Sequence, residues 1–249
     1  MIELRGVHKA FGDFTVLRGV DLTLEEGETL VVLGRSGTGK SVTLKHIVGL
    51  LLPDEGSILV NGVDVTTADR EQLRQVRREV AYLFQTGALV NWLSVRDNVS
   101  LPLVEKRTIP PSEIRERVDE SLQSLGMLEA AERMPAEISG GMRKRAALAR
   151  VLVAEPKAIL YDEPTAGLDP IMARTVGRLI RDVQSSGERT ALVVTHDLEL
   201  AFGVATRVGL HYKGQLIELA DPERFKQSDH PVIRAFLDGE EYYEEELSS

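Results

Sequence analysis

The sequence predicts an α/β fold with a mostly parallel central sheet flanked by helices, and three observations carry that prediction. Residues 29–33 form an apolar strand that passes through a glycine-rich turn into a helix-like stretch at residues 41–51. From residue 158 onward strand and helix patterns alternate, the arrangement that parallel sheets need for their crossovers. Between these two regions the strands give way to a charged, helical stretch.

In chain order, residues 2–9, 20–24, 29–33, 57–60 and 80–84 alternate or run apolar between turn signals, and Asn61-Gly62 marks a hairpin. The stretch 41–51 has no breaker except Gly49 and stops near Pro53. In residues 111–125, Ile114, Val118 and Leu122 recur at helical spacing with charges between them, and Gly126 stands where a helix C-terminal glycine belongs. A further helix is expected from about residue 141 to 154, ending before Pro156. Residues 158–161, 190–195 and 207–212 read as strands, and Val176, Leu179, Ile180 and Val183 make the apolar stripe of a helix between the first two. One domain is expected over residues 1–239, with a helical insert at about 86–155. Residues 240–249 carry a run of glutamates that predicts a solvated, flexible acidic tail.

Composition narrows the function. The chain has 249 residues, 43% of them hydrophobic, with 30 Lys+Arg against 39 Asp+Glu for a net charge of −9. Such a composition builds a sizeable core and excludes global disorder. Charges interrupt every apolar run before the ~20 residues of a membrane span, and Met1 leads directly into a strand-like segment, so neither a span nor a secretion leader is expected. Without cysteine, disulfides, thiol nucleophiles and Cys-ligated metals are excluded. The acidic balance is a poor match to a phosphate backbone, so nucleic acid is not an expected partner. His8, His46, His211 and His230 lack metal-ligand spacing and are read as structural or surface residues.

Residues 34–41, Gly34-Arg35-Ser36-Gly37-Thr38-Gly39-Lys40-Ser41, fit G-x-x-x-x-G-K-[ST] between a strand and a helix. Glycines there let backbone N–H groups turn toward phosphate oxygens, the following helix presents its positive end with Val42 among the ATP-binding residues, Lys40 reaches the terminal phosphates and the Ser41 hydroxyl can ligate Mg²⁺. The run Ala158-Ile159-Leu160-Tyr161-Asp162-Glu163 places two carboxylates at the end of a strand. Asp162 is positioned to hold Mg²⁺ through water, and Glu163, one residue further, to polarise an attacking water as general base. No guanine-reading Asn-Lys-x-Asp or Thr-Lys-x-Asp occurs, which tilts the nucleotide toward ATP.

Ser139-Gly140-Gly141 upstream of Asp162-Glu163, Gln85 ending an earlier strand, Gly167-Leu168-Asp169 and His196 ending a later strand together resemble an ABC-type ATPase, in an order that spans nearly the whole chain. The resemblance implies a P-loop nucleotide-binding domain with an N-terminal antiparallel β-subdomain and an inserted helical subdomain. It further implies that Ser139, Gly140 and Gly141 bind the γ-phosphate of a nucleotide held by a second copy. Gln85 then resembles the glutamine that senses Mg²⁺ and the attacking water, Asp169 the aspartate that crosses the dimer, and His196 the switch histidine on the γ-phosphate. Phe11 resembles the aromatic that stacks on adenine, a core phenylalanine being the alternative.

Local features resemble one branch. Gln-Thr-Gly-Ala-Leu at residues 85–89, Met142 after the glycine pair, residues 161–171 and residues 230–239 are similar to the ATPase subunits of MCE-associated lipid transporters, the Mla phospholipid system among them. That likeness implies an ATP-hydrolysing homodimer that drives a separate multi-span permease, with an MCE-type lipid-binding subunit. The chain would be cytoplasmic, held on the inner face of the membrane through the permease. Trp92 lies in the segment that in such transporters touches the permease, packing within the helical insert being the alternative. An ABC ATPase for another cargo, such as lipoprotein release or solute import, is the alternative, and a soluble non-transport ABC ATPase a more distant one.

Overall fold

The computed structural model describes residues 1–106, 109–185 and 189–240. Strands β1 (Ile2–Phe11), β2 (Phe14–Leu24), β4 (Glu55–Val60) and β5 (Val63–Asp64) form an antiparallel sheet in the order β2-β1-β4-β5. Interleaved with them in sequence are β3 (Thr29–Leu33) and α1 (Lys40–Ile47). After α2 (Arg70–Glu79) and β6 (Val80–Leu83) come the helices α3 (Val95–Lys106), α4 (Pro111–Ser124) and α5 (Gly140–Leu152). The remainder alternates as β7 (Ala158–Asp162), α6 (Pro170–Gln184), β8 (Thr190–Thr195), α7 (Leu198–Val204), β9 (Arg207–Tyr212) and β10 (Gln215–Ala220), then α8 (Pro222–Lys226) and α9 (Pro231–Asp238). The larger sheet has the order β10-β9-β3-β8-β7-β6, every pairing parallel except the β10 edge.

The central strands β3, β7 and β8 are buried along their whole length because both faces of the sheet are covered. Their side chains alternate between two cores. Val31, Leu33, Ile159, Tyr161, Ala191 and Val193 face the core shared with α3 to α7, whereas Leu30, Val32, Ala158, Leu160, Leu192 and Val194 face the core shared with α1, α2 and the antiparallel sheet. This two-sided burial is why the strands read as continuous apolar runs.

Two helices escape the sequence periodicity. In α2 only Val76 is buried, so no apolar stripe marks it, although Asp69 and Gln72 cap its start reciprocally. Pro102 sits inside α3, where sequence reasoning places a helix break. Helix α1 ends at Ile47, short of the expected residue 51, because Gly49 takes φ 63° and turns the chain. Of the acidic segment, Glu240 is fixed by its N–H donating to the Ala235 carbonyl at 2.8 Å. Residues 241–249 lie outside the described residues. Among the described residues no helix is long and apolar enough to cross a membrane.

Candidate active site

Parallel pairing brings the carboxyl ends of the central strands to one edge. Leu33 pairs with Thr195 and Asp162 with Val194, so the loops that begin at Gly34, Glu163 and His196 leave the sheet side by side. Gln85 follows β6, whose Leu83 pairs with Tyr161. A cleft of about 360 Å³ opens there, and Phe11, Ser36, Gly37, Gly39, Lys40, Ser41, Val42, Gln85, Glu163 and His196 all line it. Residues from five separate segments of sequence thus share one cavity.

The phosphate loop needs its glycines. Gly34 has φ 157°, and a Cβ there would stand 2.7 Å from the His211 carbonyl oxygen. Gly39, at φ 108°, precedes α1, and its Cβ would press on Leu17 and His211. Thr38 closes the turn by donating its hydroxyl to the Arg35 carbonyl at 3.0 Å. Inside the loop Lys40 is buried, its ammonium donating to the carbonyls of Gly34 at 2.6 Å and Arg35 at 2.9 Å while pairing with Glu163 Oε1 at 3.1 Å. It is the charge that a phosphate oxygen would displace from those carbonyls.

The two carboxylates at the end of β7 are held differently. Asp162 accepts the Ser41 hydroxyl at 2.6 Å on one oxygen and the Tyr82 hydroxyl at 2.7 Å on the other. Burial, reinforced by the Asp162 contact, pushes the Tyr82 phenol well above its usual range, so it stays a donor. A hydroxyl beside a carboxylate is the hard-oxygen donor set that suits Mg²⁺. Glu163 sits at φ 45°, a conformation uncommon for any residue but glycine. Its N–H donates to the Val194 carbonyl at 2.9 Å, its own carbonyl accepts Lys144 Nζ at 3.1 Å, and its Oε2 meets His196 Nδ1 at 2.9 Å. Lys144, on α5, has its pKa lowered by burial against the pull of Glu163 and Asp162.

Ser139, Gly140, Gly141 and Asp169 do not line this cleft. Ser139 caps α5, accepting the Met142 N–H at 3.2 Å, and is exposed together with Gly140. Asp169 caps α6 in the same way through the N–H groups of Ile171 and Met172. Phe11 is 48% exposed at the tip of the β1–β2 hairpin, which rules out the core alternative. His211 is 2% exposed beneath the phosphate loop, and burial followed by the nearby Lys40 charge lowers its pKa to about 4. Tyr82, Lys144 and His211 are the contributors that sequence reasoning missed. The only signal for Tyr82 was a hydroxyl within an otherwise apolar run, and Lys144 gave none.

The sequence pattern of the ABC transporter family matches residues 17–166. The chain belongs to that family. This ABC ATPase is 42% identical over 238 residues to "Probable ribonucleotide transport ATP-binding protein mkl" of Mycobacterium leprae, covering 96% of this chain and 69% of that one. The same protein of Mycobacterium tuberculosis is 42% identical, with this chain spanning 66% of its length. "Intermembrane phospholipid transport system ATP-binding protein MlaF" of Escherichia coli K12 is 34% identical over 239 residues, covering 96% of this chain and 89% of that one. Among solved structures, the ATP-binding cassette MJ0796 in a dimeric post-hydrolysis state bound to ADP and Pi superposes with a TM-score of 0.82 at 30% identity, covering 89% of this chain and 98% of that one. The fold and the ATP-binding role are therefore those of an ABC cassette, in agreement with the sequence expectation.

Proposed function

We propose that this ABC ATPase powers the movement of phospholipid or a related lipid through a separate multi-span permease, hydrolysing two ATP held between two copies paired head to tail. The observation that carries the reading is the division of the site. Lys40, Ser41, Asp162, Glu163 and His196 converge within one chain, while Ser139 heads an exposed helix N-terminus that does not line this cleft. An N-terminus of this kind binds phosphate well, and a second copy supplies the phosphate. The dimeric cassette neighbour supports that pairing.

In this reading Lys40 leaves the Gly34 and Arg35 carbonyls to neutralise the terminal phosphates, and the loop N–H groups hold their oxygens. Ser41 and Asp162 would hold Mg²⁺, with Gln85 as the residue that senses it, and the ion would offset phosphate charge. Glu163 accepts the proton of the attacking water, and its fixed backbone aims the carboxylate into the cleft. His196 orients Glu163 through Nδ1 and is exposed enough to turn toward the γ-phosphate. Phe11 stacks on adenine. Asp169, Gly140 and Gly141 complete the partner's half-site.

The lipid cargo rests on residues 85–89, 161–171 and 230–239 and on the similarity to the E. coli phospholipid-system protein. The mycobacterial relatives carry another cargo in their name, so another substrate is the competing reading. Trp92, 80% exposed, is the anchor we assign to the permease contact. Purification from native membrane, with identification of bound proteins and lipids, decides between the readings. A multi-span partner with an MCE-type lipid-binding subunit is the expected result, and a partner set without lipid-handling proteins contradicts the cargo. Such a complex would hold the chain at the inner face of the cytoplasmic membrane. For the chemistry itself, Glu163→Gln is expected to lower ATP turnover by ~10²–10⁴ while leaving ATP binding intact. Turnover within a few-fold of wild type removes Glu163 as the base.

A further inference from the structure

Helix α5 carries four cationic side chains, and three of them brace the helical insert itself. Arg143 donates to the Ile138 carbonyl at 2.8 Å, Arg145 to the Leu125 carbonyl at 3.0 Å, and Arg150 to the carbonyls of Gly87 and Ala88, both at 2.8 Å. None of those acceptors lines the nucleotide cleft. Lys144 is the exception. It lies five residues beyond the Ser139 cap and about 140° round the helix from it. Ser139 is therefore exposed, while Lys144 is half-buried and donates to the carbonyl of a cleft residue, Glu163, at 3.1 Å.

That contact acts on a backbone that needs holding. Glu163 sits at φ 45°, and such a conformation persists only where its surroundings over-determine it. Its N–H is tied to the Val194 carbonyl at 2.9 Å, and its carbonyl also accepts the Ala166 N–H at 3.1 Å, closing the turn. Lys144 supplies the one side chain among these three holds. The carboxylate end has two contacts of its own, Lys40 at 3.1 Å and His196 at 2.9 Å. In the function proposed above both of those partners turn to the phosphates. Glu163 must then be aimed by its backbone alone when it takes the proton from water.

We propose that Lys144 is a positioning residue for hydrolysis: by drawing on the Glu163 carbonyl, its ammonium keeps the Glu163 side chain pointed into the cleft after Lys40 and His196 have left it. Lys144 acts through Glu163 and not on the nucleotide. The contacts of Arg143, Arg145 and Arg150 hold α5 without it, so its loss leaves the fold intact. This inference rests on the assignment of Glu163 as the base, and the experiment separates the two.

Steady-state ATP hydrolysis is measured on the full chain in the complex purified from native membrane, with release of radiolabelled phosphate as the readout. Lys144→Met keeps the length of the side chain and removes the donor. It is expected to lower kcat by ~10-fold to 100-fold, the scale of a misplaced catalytic group, with KM for ATP within about twofold of wild type. Lys144→Arg, which can still donate, should recover most of that loss. In a Glu163→Gln background, Lys144→Met should lower the residual turnover no further, because both changes act on one group. An unchanged kcat in Lys144→Met, no recovery in Lys144→Arg, or a full additional loss in the double variant overturns the proposal. So does a fall in Tm of more than about 10 °C in Lys144→Met, which makes the lysine a packing residue. Near-wild-type turnover in Glu163→Gln alone overturns the base, and the role of Lys144 with it. A large loss in Glu163→Gln with none in Lys144→Met overturns Lys144 only.

Discussion

At the scale of single residues, the site depends on side chains held in place by specific hydrogen-bond partners. Tyr82 is the plainest case. Its hydroxyl occupies one oxygen of Asp162 while Ser41 occupies the other, so the carboxylate cannot rotate. Tyr82→Phe removes about one hydrogen bond of orientation, worth ~1 kcal/mol or roughly fivefold in an equilibrium. We expect the Mg²⁺ concentration for half-maximal ATP binding to rise by about that factor, with Mg²⁺-free nucleotide binding unchanged. Calorimetric titration at several Mg²⁺ concentrations checks this, and an equal loss in both conditions would assign Tyr82 to packing. His211 makes a prediction about pH. Its ring is held at about 4 in the fold against an ordinary 6.5. Between those values the unfolded chain binds the extra proton, so the stability this residue contributes is full above about pH 6.5 and drains away as pH falls toward 4. His211→Leu should flatten the acid side of the urea-stability profile by on the order of 2 kcal/mol near pH 4.5 and cost little at pH 7, where no hydrogen bond is lost. A variant profile parallel to wild type contradicts it.

At the scale of elements, the geometry is that of loops leaving the ends of parallel strands, and it explains what the sequence revealed. The phosphate loop was legible because its glycines are demanded by backbone conformation, and at Gly34 and Gly39 also by close approach, which residue identity records directly. Asp162 and Glu163 were legible because they directly follow the run Ala158 to Tyr161, and His196 because it comes just past the apolar run Ala191 to Val194. Helix α2 was not, since one buried residue leaves no periodicity, and α3 was hidden by its internal proline. Lys144 was equally hidden, because its contact with the Glu163 carbonyl depends on how α5 packs beside β6 and α6 and on nothing local. The glycines also rank by mechanism. Gly34→Ala forces a Cβ into the His211 backbone, whereas a Cβ at Gly37 meets nothing within 4 Å. Both substitutions suffer from a positive φ, but we expect Gly34→Ala to lose ATP binding and several degrees of Tm, at ~2–4 °C per kcal/mol for a chain of this size, and Gly37→Ala to lose much less. Equal effects in thermal denaturation would show that the close approach is not what constrains Gly34.

At the scale of the whole molecule, the sheet places Lys40, Asp162, Glu163 and His196 at one edge and leaves the α5 N-terminus exposed elsewhere on the surface. In the proposed function one chain carries two halves of different sites, and the partner that would join them is a second molecule, which no pattern within a single chain encodes. The most direct measurement is the structure of Glu163→Gln loaded with ATP and Mg²⁺. The account predicts two copies related head to tail, with the Ser139 hydroxyl about 3 Å from a γ-phosphate oxygen of the nucleotide bound to the other copy's Lys40. If every assembly in that structure leaves Ser139 remote from a triphosphate, the shared site proposed for this protein is wrong.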